Sequence, residues 1–359
     1  MNKIAELISR LCPDGVEFKT LDSLVSYVQP GPYIVSSTEY DAHYSTPVLT
    51  AGQSFILGYT NEEEGIYNAS SQKPVIIFDD FTTSFHWVDF DFKVKSSALK
   101  ILKIKDKQEA DFRYIYMAMK TIHFIPTNHM RHWISLYSKF EIPLPPLNIQ
   151  KKIVSILDSF TSLIDKMKQE VEMRKKQMEY YLNILICKDN VAARLFGDIG
   201  VVQRGKRVVR KELALQGCIP VFQNSLTPLG YYQYSNIPAN NTFIISAGTA
   251  GEIGFSAKPF WAADDCLVIS SVLCDSKYLY YYLKTQVQFL KSQIRGGAMK
   301  RLSRETIEKL EIPVPSLEKQ HQIASILDTF ETYISKLEKM IELRQKQYEY
   351  YREKLLTFE

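Results

Sequence analysis

Cysteine is scarce in this chain, and its spacing excludes two common roles. The five cysteines lie at positions 12, 187, 218, 266 and 274, and no two of them form a Cys-x-x-Cys pair. An odd number without close pairs argues against a disulfide framework and against a cysteine zinc site. The pattern favours reduced thiols in the cytoplasm.

Long apolar runs are also absent. No run reaches the ~18 residues that would span a bilayer. The opening sequence MNKIAELISRLCPDG has the spacing of a short amphipathic helix, and it lacks the continuous apolar core and cleavage site of a signal peptide. We therefore expect a cytoplasmic protein with no membrane segment.

The chain also has little excess of positive over negative charge. The net charge of +4 over 359 residues is too small to indicate a nucleic-acid partner by itself, so local clusters must supply that argument. The hydrophobic content of 45% is ordinary for a globular protein, and the length suggests about two domains.

Catalytic motifs are missing too. The chain has no Asn/Asp-Pro-Pro-Tyr/Phe loop for methylation of a base, and the glycine-rich segment 248–254 lacks the Gly-Lys-Ser/Thr end of a P-loop, so we expect a β-turn there. The carboxylates of segment 13–19 are too close in sequence for a nuclease site, and His129 and His132 have no third metal ligand nearby. The sequence predicts a binding protein without a catalytic or metal site.

The chain does contain a long duplication. The segment from Lys139 to Ile186 recurs from Lys309 to Leu356 at a constant offset of 170 residues, without a gap and with about half of the positions identical. A repeat of this length indicates the architecture before any local feature does. Because the segments before the two copies are dissimilar, the order is variable domain, constant helix, variable domain, constant helix.

Both copies carry apolar residues at alternating steps of four and three, which predicts a coiled-coil seam. The seam positions that we expect to pack or to dock partners are Ile153, Leu157, Phe160, Ile164 and Arg174 in the first copy and Ile323, Leu327, Phe330, Ile334 and Arg344 in the second. Each helix follows a Pro-x-Pro sequence, with Asn148 or Ser316 as the expected N-cap, and would run ~38 residues or roughly 55 Å.

Arg174 and Arg344 interrupt the two seams at equivalent positions. A polar residue at a seam position can fix the register of a coiled coil. Alternatively, each arginine reaches a nearby carboxylate, such as Glu170 or Glu172. Both interpretations remain open from the sequence.

The variable segments share weak similarity. Residues 47–49 and 58–59 resemble 220–222 and 230–231, and the strand-like run 75–78 resembles 243–246. The helix-like run 112–116 resembles 277–281. Short β-rich runs broken by glycine, proline and asparagine fill most of both segments.

Two basic loops of the second variable domain are candidates for DNA contacts. Basic side chains beside glycines let the backbone approach phosphates, arginine can also bind guanine, and amide side chains suit adenine. The alternative is an ordinary solvated surface. The candidate residues are Arg204, Lys206, Arg207, Arg210, Lys211, Gln223, Asn224, Lys300, Arg301 and Arg304, with Asn128, Arg131 and His132 at the matching place in the first domain.

The arrangement resembles the specificity (S) subunit of Type I restriction–modification systems. The resemblance rests on the motif Glu-Ile-Pro-[Leu/Val]-Pro followed by Leu-x-x-Gln-x-x-Ile-x-x-Ile-Leu-Asp, at residues 141–158 and again at 311–328. The stretch Arg-x-Lys-Gln-x-Glu-Tyr-Tyr at 174–181, with its second copy near Arg344, and the opening residues 11–19 also fit the family. The resemblance covers essentially the whole chain.

The resemblance implies an α+β fold with two α/β target recognition domains, a long antiparallel two-helix coiled coil and an internal pseudo-twofold repeat. We place the domains at 1–145 and 188–314 and the conserved helices at 146–187 and 315–359. Each domain would read half of a split, asymmetric DNA site, and the helices would set the spacer, since ~55 Å covers roughly 16 base pairs. The first domain lacks an equivalent of the basic loop 204–211.

The resemblance also implies partners that carry the chemistry. Two methyltransferase (M) subunits would dock on the helices and use S-adenosylmethionine, and restriction (R) subunits would use ATP and Mg²⁺. This chain would itself hold no cofactor and catalyse no reaction. A second hypothesis is a coiled-coil scaffold whose terminal domains bind proteins, and the basic loops favour DNA over it.

Overall fold

The chain forms two compact units, each built from one variable segment and parts of both long helices. In the computed structural model, which describes residues 6, 10–13, 15–50, 52, 54–126, 130–187, 191–294 and 301–358, the first unit is Met1–Lys166 with Ile341–Glu359. The second unit is Met167–Met340. The boundary between the units therefore falls inside each long helix. The domain limits given above stay a prediction.

The first unit begins with a variable segment of short strands and two short helices and continues into the first long helix. Two 3-10 turns lie in this unit, at Gly31–Tyr33 and at Tyr137–Lys139. The helices and strands are β1 (Phe18–Thr20), α1 (Leu21–Leu24), β2 (Val25–Val28), β3 (Thr46–Leu49), β4 (Ile56–Thr60), β5 (Val75–Asp79), β6 (Phe85–Val88), β7 (Lys93–Val94), β8 (Leu99–Ile104), α2 (Phe112–Met119), β9 (Glu141–Pro143) and α3 (Leu147–Cys187).

Three sheets organise this segment. The largest is antiparallel, in the order β2-β8-β5-β6, and a second has the order β4-β3-β7 with β3 parallel to β7. The third joins β1 to β9, the strand that directly precedes the long helix. The start and the end of the variable segment therefore meet beside α3.

The central strand β5 separates two apolar clusters. Ile76 and Phe78 pack on the side of α2 and α3, whereas Val75 and Ile77 pack on the side of β3. This alternation follows from the two-residue period of a strand, and a continuous apolar run suits a strand covered on both faces. The run Val75–Phe78 is accordingly buried throughout.

The second unit contains the other variable segment and the start of the second long helix. A 3-10 turn lies at Arg210–Glu212. The helices and strands that follow α3 are β10 (Ala193–Leu195), α4 (Phe196–Ile199), β11 (Gly200–Arg204), β12 (Ile219–Phe222), β13 (Gly230–Tyr232), β14 (Asn241–Ile245), β15 (Ile253–Ser256), β16 (Trp261–Ala262), β17 (Cys266–Ser271), α5 (Ser276–Thr285), α6 (Val287–Ser292), α7 (Arg304–Glu308), β18 (Glu311–Pro313) and α8 (Leu317–Leu356), whose last part belongs to the first unit.

The two variable segments have the same sheet topology. The orders β11-β17-β14-β15, β13-β12-β16 and β10-β18 repeat those of the first unit strand for strand. Even the register recurs, because Pro47 pairs with Tyr59 and Pro220 with Tyr231. The internal repeat therefore extends through both variable segments.

Two of the predicted correspondences between the segments are wrong by small shifts. The pairing of β5 with β8 and of β14 with β17 makes Ile77 equivalent to Phe243. This alignment differs by two residues from the predicted one. The aspartate caps of α2 and α5 align Arg113 with Lys277, one residue from the predicted alignment. Apolar runs such as these look alike at several offsets, and only strand pairing and caps determine the correct one.

The long helices pack antiparallel to each other within each unit. In the first unit Phe160 lies 5.5 Å from Tyr351 between ring centroids, and in the second unit Tyr181 lies 5.5 Å from Phe330. An offset of 170 residues converts one pair into the other with the helices exchanged, which is the signature of a pseudo-twofold repeat. The predicted fold class is confirmed.

The start of the first long helix differs from the prediction. Ser316 caps the second helix as expected, with its hydroxyl oxygen 3.3 Å from the amide of Lys319. The first helix, however, begins at Leu147, so Asn148 lies inside its first turn. The carbonyl of Pro146 accepts the amides of Ile149 and Gln150 instead. The prediction that Asn148 is an N-cap is wrong.

Candidate nucleic-acid interface

The first basic loop leaves β11 at one edge of the second domain. The amide of Gly205 donates to the carbonyl of Cys266 at 2.9 Å, and the amide of Lys206 donates to that of Ala262 at 2.8 Å. A Cβ atom at Gly205 would lie 2.1 Å from the carbonyl oxygen of Ala263, so only glycine allows this close approach. The guanidinium of Arg204 donates to the carbonyl of Asp264 at 2.8 Å.

The second basic loop meets the first at the same edge. Arg301 forms a β-bridge with Ala247, and its guanidinium lies 3.3 Å from the carboxylate of Asp265. The Arg301 side chain is 44% exposed, whereas that of Asp265 is 15% exposed. The two loops, far apart in sequence, thus converge on the turn Asp264–Asp265, which the sequence analysis did not single out.

The predicted amide residues lie beside this turn. Burial raises the pKa of the Cys266 thiol to about 12, so it stays protonated and donates to the carbonyl of Phe222 at 3.1 Å. Gln223 and Asn224 follow at the end of β12, where Gln223 is half-buried and Asn224 is exposed. The carbonyl of Asn224 accepts the amide of Thr249 at 2.9 Å.

The first part of the glycine-rich segment, residues 248–252, is a turn packed against Asn224, as the sequence predicts, and residues 253–254 belong to β15. Gly248 has a φ of +85°, and a Cβ atom there would lie 2.4 Å from the carbonyl oxygen of Asn224. Gly251 also has a positive φ of +87°. These backbone conformations suit glycine, and they explain the composition of the segment without a phosphate-binding role.

The edge carries positive charge that is only partly compensated. Among the described residues, Arg204, Lys206 and Arg207 have no carboxylate partner within ion-pair distance, and all three are exposed. Arg210 and Lys211 are exposed in the 3-10 turn that follows. These side chains can therefore contact an anionic partner without losing an existing ion pair.

Arg304 and Lys300 differ from this group. The guanidinium of Arg304 lies 2.6 Å from the carboxylate of Glu308, one turn along α7, so a local partner compensates its charge. Lys300 lies outside the described residues. Both stay predicted contacts with DNA. Of the described residues in this loop, Arg301 is the stronger candidate for such a contact.

The first domain places Arg131 where the second domain places Arg301. The amide of His132 donates to the carbonyl of Asp80 at 2.8 Å, and the amide of Leu302 donates to that of Ser246 at 2.8 Å. These equivalent bonds align Arg131 with Arg301, whereas the sequence had matched only the two loops and not these two residues. Arg131 is exposed. Asn128, predicted with it, lies outside the described residues.

The prediction that His132 contacts DNA is corrected by its burial. Its side chain is only 4% exposed, and its ring packs edge-on against Phe124 with a centroid distance of 5.4 Å. Its counterpart Leu302 is 3% exposed. His132 therefore occupies a core position of the repeat, and a contact with DNA would require it to leave that position.

A buried ion pair supports the loop that carries Arg131. The side chains of Asp80 and Lys100 are each 1% exposed, and their charged atoms are 3.2 Å apart. Asp80 also accepts the amide of Trp133 at 2.9 Å, and Lys100 donates to Gln29 at 3.1 Å. Sequence reasoning missed this pair, although a lysine inside the apolar strand Leu99–Ile104 is a signal that could have revealed it.

Gln29 occupies the position in the first domain that Arg204 occupies in the second. Val28 pairs with Ile101 as Gln203 pairs with Val268, so the next residues, Gln29 and Arg204, are equivalent. An amide that binds a buried lysine thus replaces an exposed guanidinium. The two domains share a framework at this edge but present different chemistry.

The predicted seam residues lie along the interface between the long helices. Ile153, Leu157 and Ile164 are buried in a cluster with Tyr348, Leu355 and Leu356 of the other helix. Their counterparts Ile323, Leu327 and Ile334 are also buried, and Phe160 and Phe330 are partly buried.

Arg174 makes the carboxylate contact that one interpretation of the sequence predicted, and it also contacts the other long helix. Its guanidinium binds Glu170 at 2.8 Å and Gln177 at 2.8 Å on its own helix, and it also lies 5.5 Å from the ring centroid of Tyr333 on the other helix. Arg344 binds Gln347 at 2.6 Å. The residues equivalent to Glu170 and Tyr333 are Met340 and Leu163, so Arg344 cannot make the same contacts.

A second kind of surface lies on the exposed sides of the helices. A concave patch on α3 presents three hydroxyls, an aspartate, a lysine and a leucine, and a patch on α8 contains the residue at each matching position of the repeat. The first patch is Ser155, Asp158, Ser159, Ser162, Leu163 and Lys166, and the second contains Ser325, Asp328, Thr329, Thr332, Tyr333 and Lys336. We call these the paired helix patches.

Exposed apolar residues that also recur lie on the same helices, and one of each set, Leu163 or Tyr333, belongs to a paired helix patch. Ile156, Leu163, Met173 and Tyr180 on α3 are 36–62% exposed, and the residues 170 positions later, Ile326, Tyr333, Leu343 and Tyr350, are 43–57% exposed. Apolar side chains exposed at matching positions in both copies indicate binding surfaces rather than isolated exceptions.

The described part of the chain shows neither a metal site nor a membrane span. No group of three or more His, Cys, Asp or Glu side chains in it is arranged to hold a metal ion. Within the same residues, no helix is both long and apolar enough to cross a membrane.

Comparison with known proteins defines the class to which this arrangement belongs. The family model described as the Type I restriction modification DNA specificity domain matches residues 13–173 and 189–345. The chain belongs to this family and carries two copies of its domain. It is a member of the Type I restriction–modification specificity subunits, as the sequence motifs predicted.

Individual relatives agree with this assignment. The chain is 36% identical to the Type I restriction enzyme EcoR124I/EcoR124II specificity subunit of Escherichia coli, over 96% of this chain and 95% of that protein. It is 28% identical to a putative type I restriction enzyme specificity subunit of Haemophilus influenzae, over 96% of each chain. The crystal structure of the Type I restriction–modification S subunit from M. genitalium has the same fold, with a TM-score of 0.72, 17% identity and coverage of 95% and 96%.

Proposed function

We propose that each variable domain of this chain reads one half of a split, asymmetric DNA site. The observation that carries the proposal is the convergence of the two basic loops on the turn Asp264–Asp265, beside Gln223 and Asn224. Arg131 provides a cation at the equivalent place in the first domain. Exposed cations supply affinity for phosphates, and arginine and amide side chains supply base recognition.

The long helices are the second part of the proposal. We expect them to set the spacer between the half-sites and to dock two methyltransferase subunits. The paired helix patches support two docking sites of one kind, because hydroxyl, aspartate and lysine side chains recur at matching positions. Restriction subunits would complete the assembly.

The chemistry of the complex would then reside in the partners. We propose that this chain is not catalytic, that the methyltransferase subunits hold S-adenosylmethionine, and that the restriction subunits hold ATP and Mg²⁺. We also propose that this chain is located in the cytoplasm, together with DNA and these subunits.

DNA selection tests the reading role. The chain and its methyltransferase subunits would be incubated with duplexes that carry two randomised half-sites separated by spacers of different lengths. Enrichment of one bipartite motif with one spacer length is the expected outcome. Assembly of the complex without any bipartite preference would refute the reading role and would favour a protein-binding scaffold.

Substitution in the paired helix patches tests the docking role. Ser162→Arg and Thr332→Arg place a bulky cation at matching exposed positions. Each should remove one of two methyltransferase subunits, as measured by the mass of the complex, and the double variant should remove both. Gln169→Glu, exposed on the first long helix outside the patch, is the control. Full assembly of the double variant would contradict docking at these patches.

A further inference from the structure

Two buried glutamines occupy the same position in the first turn of each long helix. Gln150 and Gln320 are separated by the 170-residue offset, and both are fully buried. A buried amide must satisfy an acceptor and two donors, so it is costly unless each finds a partner. The contacts of these two side chains therefore show what the position requires.

Both glutamines lie on a long helix and bind the variable domain together with the segment that leads into that helix. The Gln150 carbonyl accepts the amide of Asp111 at 2.8 Å, and its NH₂ group donates to the carbonyls of Pro145 at 2.7 Å and Glu109 at 3.4 Å.

In the second copy, the Gln320 carbonyl accepts the amide of Asp275 at 2.7 Å. Its NH₂ group donates to the carbonyls of Pro315 at 2.8 Å and Leu273 at 2.9 Å. The pattern is the same in both copies.

The two aspartates whose backbone amides donate to the glutamines also cap a helix of the domain. Asp111 is the N-cap of α2, and its carboxylate accepts the amides of Arg113 and Tyr114 at 2.9 and 3.0 Å. Asp275 caps α5 and accepts the amides of the two equivalent residues, both at 2.9 Å. Each glutamine therefore joins the start of a long helix to the start of a domain helix.

In each copy, two more contacts restrict the same connection between the variable domain and the start of the long helix, which we call the joint. The hydroxyls of Tyr114 and Tyr278 donate to the carbonyls of Pro143 and Pro313, at 2.8 and 3.0 Å. Arg113 pairs with Asp158 at 2.9 Å.

Lys277 pairs with Asp328 at 3.0 Å in the second copy. The joint is thus nearly identical in two domains whose sequences otherwise diverge. Apolar packing could attach each domain equally firmly, whereas directional buried hydrogen bonds favour a single orientation.

We propose that Gln150 and Gln320 are positioning residues that fix the direction in which each recognition domain extends from its long helix. This inference rests on the proposed function, and it makes the glutamines determinants of spacer length rather than of half-site sequence. A long helix sets a distance on DNA only if the domains at its ends cannot turn. The fixed joint supplies that condition.

Gln150→Glu and Gln320→Glu test the inference. The substitution keeps the size of the side chain but directs a carboxylate oxygen at carbonyls that now accept the NH₂ group. The measurement is the affinity ratio between duplexes with the native spacer and duplexes with one base pair more or less, using the motif that the wild-type complex methylates. We expect this ratio to fall about tenfold, or ~1.4 kcal/mol, which is within the range for an unpaired buried group.

Half-site sequence should stay unchanged in both variants, because no recognition residue is altered. The control is Gln169→Glu, an exposed position on the first long helix with the same change of charge. An unaltered spacer ratio in Gln150→Glu and Gln320→Glu, even with a lower melting temperature, would show a purely structural role and overturn the inference. Loss of spacer dependence in the wild-type complex and in the control would instead refute the proposed function.

Milder variants keep the test decisive if the glutamate variants do not fold. Tyr114→Phe and Tyr278→Phe each delete one hydroxyl of the joint and retain the ring. They should broaden the accepted spacer in the same direction but to a smaller extent. A spacer ratio equal to that of the wild type in folded Tyr→Phe variants would again overturn the inference.

Discussion

Arg301 shows how one side chain can be held ready for an anionic partner. Its guanidinium lies 3.3 Å from Asp265, but 44% of the side chain remains exposed. An ion pair whose arginine is this exposed contributes little stability, because water screens it. A phosphate can therefore bind the free side of the guanidinium at small cost.

Arg301→Ala should weaken DNA binding and reduce the slope of log affinity against log salt by about one unit, because one phosphate contact is lost. Fluorescence anisotropy over a series of salt concentrations measures both quantities. Arg304→Ala is the matched comparison, and its effect should be smaller, since Arg304 lies 2.6 Å from its carboxylate partner Glu308, whereas Arg301 lies 3.3 Å from Asp265. An unchanged slope in Arg301→Ala would place this loop away from DNA.

Asp80 and Lys100 illustrate the opposite situation, a charge pair removed from water. Both side chains are 1% exposed, and Asp80 also binds the amide of Trp133. Loss of one partner leaves a buried charge without compensation, which costs far more than loss of a surface pair.

Asp80→Ala should lower the free energy of unfolding by about 3–5 kcal/mol, because Lys100 would remain buried and unpaired. Urea denaturation followed by circular dichroism measures the loss. Lys309→Ala removes one partner of an exposed pair, with both side chains 71% exposed, and should hardly change stability. Equal stability of the two variants would contradict the burial described for Asp80.

At the scale of elements, the long helices separate two kinds of apolar position. Leu157 and Leu327 are fully buried at the seam, whereas Leu163 is 42% exposed in a paired helix patch. The heptad pattern of the sequence predicted the first kind. An exposed position such as Leu163 cannot be told from an ordinary surface residue in one copy alone. The exposure of the matching residue in the other copy distinguishes it.

Leu157→Ala and Leu327→Ala should each destabilise the protein by about 2–5 kcal/mol, because each leaves a cavity in a packed cluster. Leu163→Ala should leave stability nearly unchanged and weaken binding of a methyltransferase subunit. Thermal unfolding and the mass of the assembled complex give the two readings. A large loss of stability in Leu163→Ala would show that this residue belongs to the core.

The variable segments show where prediction from sequence fails. The strands Val75–Asp79 and Asn241–Ile245 were recognisable from their apolar runs, but their alignment was wrong by two residues. A strand that is buried on both faces has no polar face to fix its register in the sequence. Pairing with β8 and β17 determines it instead.

For the whole molecule, the contacts between the helices have one register. The pairs Phe160–Tyr351 and Tyr181–Phe330 and the ion pair Lys175–Glu338 follow one antiparallel alignment to within two residues. A matched insertion of one heptad in both helices would therefore preserve the seam.

Seven residues inserted after Glu170 and after Met340 should lengthen the accepted spacer by roughly three base pairs, because seven residues add about 10 Å of helix. Methylation mapping of DNA from cells that carry the variant complex measures the spacer and both half-sites. The half-sites should stay the same. A changed half-site with an unchanged spacer would contradict the role of the helices as a ruler.

The sequence by itself determined the repeat, the two long helices, their seam and the family. These features depend on periodicity and on residue types along one segment, which a sequence displays directly. Only the tertiary structure decided that the two basic loops meet at Asp264–Asp265, that His132 is buried, and that Gln150 and Gln320 each join a domain to a helix. Those features depend on contacts between segments distant in the chain, and such contacts leave no periodic trace in the sequence.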